Sequence, residues 1–244
     1  MEIKVNRAEY KDVESMRDLY CHEAHCQIIH DSIIRRGLAD PYVILLDGRM
    51  AGYGAVWNKY EIGRVMEFYL LPHLRGKAMP LFRALLDTSQ ATSIEAQTNM
   101  PMMLTMLYDC AKEITVENVI FEDGFTTSLD CPGAVFRRAE PQDRRPDPGA
   151  EWVIEADGAV VASGGFLCHY NPPYGDIYME VVEDRRRHGY GSYLVQELKR
   201  VCREAGRKPA ARCNPTNLAS RLTLQKAGLL PCGRLLSGRV AAPD

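Results

Sequence analysis

The chain has 244 residues, of which 46% are apolar and 25% charged, and its formal net charge is −2. This length allows one large or two ordinary domains, and the composition is that of a folded globular protein. A nearly neutral chain offers no broad basic field for nucleic acid, and its longest apolar runs, such as Val43–Leu46, are too short to cross a bilayer.

The eight cysteines are scattered, without the paired spacing of a zinc site or the pattern of a disulfide scaffold in a short secreted chain. The opening residues, Met1–Asn6, do not read as a signal peptide. We therefore expect reduced thiols and a cytoplasmic location.

The first half opens with a strand-like run, Ile3–Val5, and continues with helical sequence from Asp12 to about Gly37. Apolar residues recur there at helical spacing: Val13, Met16, Leu19 and Tyr20, then Ile28, Ile29, Ile33 and Ile34. On such a helix His22, Cys26 and His30 would share one face, as metal ligands do. The spacing is not the His-Glu-x-x-His of zinc enzymes, so we predict that these residues bind no metal. They are either ordinary polar residues of the helix or residues that touch the substrate of the second half.

Both halves then follow the same order of elements. A β-prone run around Asp47–Gly48, and another around Asp157–Gly158, is typical of a hairpin. In the first half a strand, a helix, a short strand and a second helix follow at Val65–Leu71, Met79–Asp87, Ser93–Thr98 and Met102–Ala111. In the second half they follow at Asp176–Val182, Tyr190–Ala205, Ala210–Cys213 and Asn217–Ala227. The repeated order predicts a duplication with two similar domains.

The segment Cys131–Gly149 is rich in Pro, Arg, Asp and Gly and reads as a linker around one short strand, Ala134–Arg138. We place the domain boundary before it, so that the domains are 1–130 and 131–244. A leading antiparallel hairpin in a mixed α/β order predicts the α+β class, with a mixed central sheet flanked by helices in each domain, rather than a doubly wound sheet. The second half has no room for helices equivalent to those before Gly37.

The stretch with the most direct chemistry lies between the strand Asp176–Val182 and the helix that follows it. It reads Arg186-Arg187-His188-Gly189-Tyr190-Gly191-Ser192. Glycines let the backbone approach a ligand, and a helix start offers unpaired N–H groups and a positive dipole end. The arginines add charge-assisted hydrogen bonds. This layout predicts a diphosphate site rather than a nucleic-acid surface.

With the elements around it, this turn resembles the pyrophosphate loop of the GNAT superfamily of acyl-CoA N-acyltransferases, in a tandem arrangement. The family pattern, Gln/Arg-x-x-Gly-x-Gly/Ala, is complete at Arg186, Gly189 and Gly191. A second family segment is matched downstream by Asn217, Ser220, Lys226 and Gly228. In that segment Leu224 stands where the family often places a Tyr that acts as general acid, and Leu229 stands in place of Phe.

The equivalent loop of the first half, Arg75–Pro80, departs from the family pattern. Arg75 is retained, but Pro80 occupies the last glycine position and has no N–H for a phosphate, and Met79 adds bulk beside it. The resemblance therefore implies a degenerate first domain that does not bind acetyl-CoA. Because the second half lacks opening helices, we expect the first half to act as a scaffold and to help shape the acceptor pocket.

For the second half, the resemblance implies acetyl-CoA as co-substrate. The pantetheine arm would lie in a gap between the fourth and fifth strands, against the backbone of Met179, Val181 and Val182. The pyrophosphate would be held by backbone N–H groups of Arg187, His188, Gly189, Tyr190, Gly191 and Ser192. The other residues of the implied cofactor site are Arg186, Asn217 and Ser220.

The acceptor amine must lose a proton, so a carboxylate near the thioester is the expected base. Glu180 is the first candidate because it lies on the strand that borders the cofactor, and Asp176 at the start of that strand is the second. For each, the alternative is a side chain that faces solvent or pairs with an arginine. A strand N–H near Val181 is the expected oxyanion donor. Candidates for the general acid are Tyr178, Tyr174 and Cys213, with water as the alternative.

The loop His169–Gly175 holds Tyr170 and Tyr174 on either side of a Pro-Pro pair. It lines an acceptor pocket or forms an ordered surface loop.

The sequence leaves three functions open. The first is an N-acetyltransferase that moves an acetyl group from acetyl-CoA to a primary amine of an unidentified small molecule or protein by direct attack. The alternative from another class is a CoA-binding sensor or interaction module without turnover, which the missing Tyr at position 224 keeps open. The third is transfer of a different acyl group. No nucleic acid or membrane partner is expected, and the oligomeric state is left open.

Overall fold

The computed structural model describes residues 2–23, 25–26, 32–169 and 172–241. The chain forms two compact units, one of Met1–Glu117 with Gly233–Asp244 and one of Asn118–Cys232. The sequence-based boundary between residues 130 and 131 falls inside the second unit.

Two long strands that the sequence analysis did not place, β6 (Ala111–Asp123) and β12 (Leu229–Val240), contribute residues to both units. β6 follows a helix at once, without a Gly or Pro to mark its start, and Ala111 belongs to the strand rather than to the predicted helix. β12 contains Pro231 and Gly233, which read as a turn.

The first unit has a mixed sheet with the order β1-β2-β3-β4-β5-β12-β6. Its other elements are β1 (Ile3–Arg7), α1 (Tyr10–Glu23), α2 (Ser32–Arg35), β2 (Ala39–Leu46), β3 (Arg49–Trp57), β4 (Arg64–Leu70), α3 (Ala78–Ser89), β5 (Ser93–Gln97) and α4 (Pro101–Cys110). The pairs β1–β2, β2–β3 and β3–β4 are antiparallel, whereas β4 and β5 are parallel.

The second unit has the sheet order β6-β11-β10-β9-β8-β7. Its other elements are β7 (Ala134–Arg138), β8 (Trp152–Ala156), β9 (Ala159–Leu167), β10 (Tyr174–Val181), α5 (Tyr190–Glu204), β11 (Lys208–Cys213) and α6 (Leu218–Lys226). β10 and β11 are parallel and the remaining pairs are antiparallel. A mixed sheet with helices in each unit confirms the predicted α+β class.

Both predicted hairpins form at the Asp-Gly pairs. Asp47 and Gly48 have φ values of 50° and 77°, and Asp157 and Gly158 have 53° and 72°. Two successive left-handed residues make the turn whose twist matches the paired strands, and Asp and Gly tolerate that conformation best. Local sequence alone therefore determines these two turns.

The helical sequence predicted from Asp12 to Gly37 is not one helix. α1 ends at Glu23, and Cys26 has a left-handed φ of 46°. His22 and Cys26 therefore do not share a helix face, and His30, Ile28 and Ile29 lie outside the described residues. Among the residues described, no group of three or more His, Cys, Asp or Glu side chains is placed to hold a metal ion.

The first unit buries an ion pair between α1 and β4. Arg17 Nη2 lies 2.9 Å from Glu67 Oε1, and the Tyr53 hydroxyl donates to Glu67 Oε2 at 2.8 Å. Burial lowers the pKa of Arg17, but the charge and hydrogen bonds of Glu67 outweigh burial, so the pKa of Arg17 is raised and its charge is kept. This pair links α1 to β4, and each buried charge has a partner of opposite charge or a hydrogen bond.

In the second unit, α5 packs closely on the sheet. Its buried residues are Ser192, Leu194, Val195, Leu198, Lys199, Val201 and Cys202. A Cβ at Gly164 on β9 would lie only 2.4 Å from the Tyr178 carbonyl oxygen and 3.2 Å from Leu198 Cδ1. The glycine therefore permits the close approach of β9 to β10 and to the middle of α5.

No helix in the described part of the chain is long and apolar enough to cross a membrane. All eight cysteines lie among the described residues, and none forms a disulfide there.

Lys199 on α5 ties three segments of the second unit together, although it is only 1% exposed. Its ammonium donates to the carbonyl oxygens of Phe125 at 2.7 Å and Ala227 at 2.8 Å, and pairs with Asp123 Oδ1 at 2.9 Å. Burial lowers the pKa of Lys199, and the hydrogen bond and charge of Asp123 oppose that shift.

We predict that Lys199→Met lowers the free energy of unfolding by about 3 kcal/mol, because two buried carbonyls and part of a carboxylate lose their partner. Arg200→Met is the matched control, since Arg200 is half exposed, pairs with Glu197 and Glu204 on the same helix, and lies over the Phe136 ring at the long distance of 6.0 Å. It should cost less than about 0.5 kcal/mol. Urea unfolding of both full-length variants measures the difference; equal losses would contradict this role of Lys199.

Candidate active site

The site lies where β10 separates from β11. Their parallel pairing runs from Tyr174 with Lys208 to Ile177 with Ala211, although β10 continues to Val181. Val182 N–H donates to Val161 O at 3.0 Å, toward β9. Because backbone groups alternate along a strand, those of Met179 and Val181 point the other way, into the widening gap. A strand edge is therefore open at this point.

Val182 does not fit the predicted contact with a pantetheine arm. Its N–H bonds to Val161 and its carbonyl accepts from Arg185 N at 3.0 Å. The Val181 carbonyl accepts from Arg186 Nε at 3.3 Å. The groups that the gap offers a ligand are therefore the N–H of Val181 and the backbone of Met179.

The turn after β10 has an unusual backbone conformation. Arg187 has a φ of 67° and Gly189 a φ of 90°, both in the left-handed region. A Cβ at Gly189 would meet no atom within 4 Å, so backbone conformation rather than space calls for glycine there. The His188 ring nitrogen Nδ1 lies 2.9 Å from Arg186 O, and this contact ties the turn to itself.

The turn aims the start of α5 at the gap. Gly189 is the N-cap and makes no side-chain cap, and the first helical bond is from Tyr193 N to Gly189 O at 3.0 Å. The N–H groups of Tyr190, Gly191 and Ser192 precede that bond, so the helix supplies no acceptor for them. A row of such N–H groups at the positive end of a helix dipole suits an anion.

A cavity of about 1310 Å³ joins the open strand edge to the start of α5. All predicted cofactor residues except Val182 line it. It is also lined by Lys226, which the sequence analysis named only as a match to the family segment, and by residues that it did not name: Glu183, Asp184, Arg185, Leu218, Ala219, Leu222 and Thr223. The signal for three of them was present, because Leu218, Leu222 and Lys226 follow each other at intervals of four on the helix that Asn217 begins.

Asn217 and Ser220 form the α6 end of the cavity. The Asn217 side chain caps α6 by accepting from Ser220 N at 3.0 Å, which uses its oxygen and leaves its NH₂ group for the cavity. Burial raises the pKa of the Cys213 thiol nearby, with Arg221 and the Ser220 hydroxyl opposing the shift. Leu224 is buried in the core, so no hydroxyl stands at that position.

The two predicted carboxylates have different surroundings. Asp176 is buried, and its Oδ2 lies 2.9 Å from Arg212 Nη2, the arginine pairing that was the alternative for this residue. Glu180 is exposed and lines the cavity. Both residues lie on the same face of β10, but of the two only Glu180 lines the cavity.

Tyr178 lies on that face between the two carboxylates but does not line the cavity. Its hydroxyl oxygen would be 2.8 Å from a Cβ at Gly165, so glycine makes room for the ring on β9. Burial raises the pKa of Tyr178, and the charges of Asp147 and Glu151 raise it further. The hydroxyl therefore stays protonated at neutral pH. Tyr174 is buried at the start of β10, and Tyr170 lies outside the described residues.

In the first unit the parallel strands β4 and β5 also separate, as β10 and β11 do in the second unit, but the turn that follows β4 has a different conformation. Pairing of β4 with β5 covers only Arg64 with Ser93 and Val65 with Ile94. Arg75 Nε donates to Leu70 O at 3.3 Å, as Arg186 does to Val181 in the second unit.

In the first unit, however, a 3₁₀ helix, Pro72–Lys77, leads directly into α3. Within residues 72–80, all of which the structure describes, no φ is positive. Arg75 also forms an ion pair with Glu23 and lies over the Tyr69 ring, 5.6 Å from its centre. Side chains of the unit itself thus engage the arginine that would otherwise meet a phosphate.

Comparison with protein families gives two matches, which follow each other along the chain and overlap at residues 116–124. The acetyltransferase (GNAT) family model matches residues 116–229, and an acetyltransferase (GNAT) domain model matches residues 9–124. A comparison with functionally curated proteins gives no match.

Solved structures share the fold at low sequence identity. A GNAT-family acetyltransferase from Colwellia psychrerythraea is 14% identical, with a TM-score of 0.79 over 99% of this chain and 100% of that one. A GCN5-related N-acetyltransferase from Sphaerobacter thermophilus is 15% identical, with a TM-score of 0.61 over 99% and 97%. A tandem GNAT protein from the clavulanic acid biosynthesis pathway is 11% identical, with a TM-score of 0.61 over all of both chains.

The conformation of the turn can be tested by a pair of glycine substitutions. We predict that Gly189→Ala lowers the free energy of unfolding by about 1 kcal/mol, because a Cβ disfavours a positive φ. Gly76→Ala, at the corresponding turn of the first unit, should raise it by up to about 0.5 kcal/mol, because φ is negative there and the unfolded chain loses freedom. Urea unfolding measures both, and a shift of the same sign in both would contradict the two turn geometries.

Proposed function

Because the chain belongs to the acetyltransferase (GNAT) family, with two such domains in tandem, we propose that its second unit transfers an acetyl group from acetyl-CoA to a primary amine of a small molecule or peptide. The observation that carries this proposal is the single cavity that connects the open edge of β10 to the N–H groups at the start of α5. A long ligand with a peptide-like arm and a diphosphate needs both features at once.

In this proposal the diphosphate binds the N–H groups from Arg187 to Ser192, and Arg186 and Lys226 add positive charge. The pantetheine arm lies along the backbone of Met179 and Val181 as an additional strand would. Its amides satisfy backbone groups that β11 leaves open. The Asn217 NH₂ group, at the α6 end of the cavity, binds a carbonyl of the arm.

The reaction is a direct attack of the amine nitrogen on the thioester carbon. Glu180 takes the proton of the amine, directly or through one water. The Val181 N–H stabilises the oxyanion that forms before the carbon–sulfur bond breaks. The departing thiolate then takes a proton from water, since Leu224 has no hydroxyl to give.

The acceptor approaches the face of β10 that carries Tyr178 and Glu180. Asp147 and Glu151 lie close enough to Tyr178 to raise its pKa, so carboxylates border this face. Primary amines are protonated at neutral pH, and a carboxylate border draws such cations to the site. We assign Tyr178 to orienting the amine through its protonated hydroxyl. Asp176, paired with Arg212, holds β10 beside β11.

The first unit acts as a scaffold in this account and does not bind acetyl-CoA. The direct entry of the 3₁₀ helix into α3 and the pairing of Arg75 with Glu23 support this assignment. Its contribution to the acceptor pocket stays a prediction, as does the cytoplasmic location.

A CoA-binding sensor without turnover is the second candidate, and the buried Leu224 is the observation that favours it. Release of free thiol from acetyl-CoA in the presence of a panel of polyamines and lysine peptides separates the two. Thiol release that depends on the amine supports the transferase. Tight binding of acetyl-CoA with no release across the panel supports the sensor.

We predict that Gly191→Pro weakens acetyl-CoA binding about 100-fold, because it removes an N–H that donates to a charged phosphate. Proline is tolerated in the first helical turn, so α5 should still form. Titration calorimetry measures the affinity, with circular dichroism to check folding. Pro80→Gly in the first unit is the control and should leave affinity and stoichiometry unchanged. A folded Gly191→Pro protein with unchanged affinity would place the diphosphate elsewhere.

We also predict that Glu180→Gln lowers kcat about 100-fold near neutral pH, as expected for loss of a general base, with little change in acetyl-CoA affinity. The rate of the variant should recover as pH rises through the pKa of the acceptor amine, which then arrives neutral. Asp176→Asn is the control. Loss of the ion pair with Arg212 should lower the free energy of unfolding, whereas kcat should change much less than in Glu180→Gln. If Glu180→Gln keeps the kcat of the parent protein, Glu180 is not the general base.

A further inference from the structure

A segment that does not line the cavity contacts the turn Arg186–Ser192. Residues Gly124–Cys131, here called the strap, follow β6 and form no helix or strand. The strap begins at the end of α6, where the N–H groups of Gly124 and Phe125 lie 3.0 and 3.1 Å from Gly228 O. Lys199 on α5 donates to Phe125 O. One end of the strap is therefore attached to both helices that wall the cavity.

The middle of the strap is attached to α5 through one side chain, Gln196. Its Oε1 accepts from Leu129 N at 2.6 Å and from Thr127 Oγ1 at 2.8 Å. Its Nε2 donates to Leu129 O at 3.1 Å. The amide thus pairs with both backbone groups of Leu129, as a neighbouring strand would. A partly buried side chain in this arrangement fixes the position of the strap on the helix.

The far end of the strap reaches the turn itself. Cys131 Sγ lies 3.9 Å from His188 O, the residue between the two left-handed positions Arg187 and Gly189. Of the two, Arg187 is strained because it is not glycine, and such a conformation persists when surrounding contacts hold it. The contact is weak by itself, so its effect depends on how firmly the strap is held by Gln196.

We infer that Gln196 is a positioning residue for the cofactor: it fixes the strap, and through the strap it keeps the turn Arg186–Ser192 in the conformation that presents its N–H groups. This inference rests on the proposed function for the identity of the ligand. Without Gln196 the turn spends part of its time in relaxed conformations. The apparent affinity then falls in proportion to the competent fraction, whereas a saturated enzyme reacts as before.

The test uses full-length Gln196→Leu, which keeps the size of the side chain and removes its hydrogen bonds. We expect the Kd and KM for acetyl-CoA to rise about 10-fold, with kcat at saturation and the KM of the amine unchanged. In the ligand-free protein, hydrogen exchange at the amides of residues 187–192 should be faster than in the parent. Adding Thr127→Val to Gln196→Leu should produce little further change, because Thr127 Oγ1 donates to Gln196 Oε1 at 2.8 Å and its other contact, with Ala227 O, is long at 3.5 Å.

Val153→Ala is the matched control for a general loss of stability. Val153 is fully buried on β8 and makes no hydrogen bond with the strap. This variant should unfold more easily but keep the parental Kd and exchange rates at 187–192. Equal changes in the control and in Gln196→Leu would overturn the inference, as would parental exchange at those amides in Gln196→Leu. If the parent protein fails to bind acetyl-CoA, the proposed function falls, and the exchange measurement still decides the role of Gln196.

Discussion

The parallel strands β10 and β11 of the second unit separate before β10 ends, and the proposed chemistry depends on that separation. Pairing of β10 with β11 stops at Ile177 and Ala211, which leaves the backbone of Met179 and Val181 facing a gap. Backbone groups inside a protein require partners, so a peptide-like arm is the natural occupant. The same divergence brings the start of α5 to the mouth of the gap, where an anion can be held. One departure from regular sheet pairing thus produces both halves of the proposed cofactor site.

The two units show how similar sequences lead to different sites. Arg75 and Arg186 make the same hydrogen bond to the end of the preceding strand, so both turns begin alike. Beyond that point Gly189 permits a left-handed turn before the helix, whereas the first unit continues as a 3₁₀ helix into α3. The first unit also covers the α1 face of β4 with the buried Arg17–Glu67 pair. The conformation of a few turn residues therefore distinguishes the proposed site in the second unit from the corresponding turn of the first unit.

Features encoded by neighbouring residues could be predicted from the sequence. The Asp-Gly hairpins, the strand Ala134–Arg138 and the glycine turn all form where the local pattern placed them. Features that depend on distant partners could not. Residues far apart in the chain set the pairing of Asp176 with Arg212, the bond from Val182 N to Val161 O, and the strands β6 and β12. Single-sequence patterns carry little information about such contacts.

The most direct measurement is a crystal structure of the full chain with CoA. The account predicts the diphosphate within hydrogen-bond distance of the N–H groups of Gly189, Tyr190, Gly191 and Ser192, with the pantetheine arm beside Met179 and Val181. CoA bound at the Arg75–Pro80 turn, or with its diphosphate away from the start of α5, would contradict it.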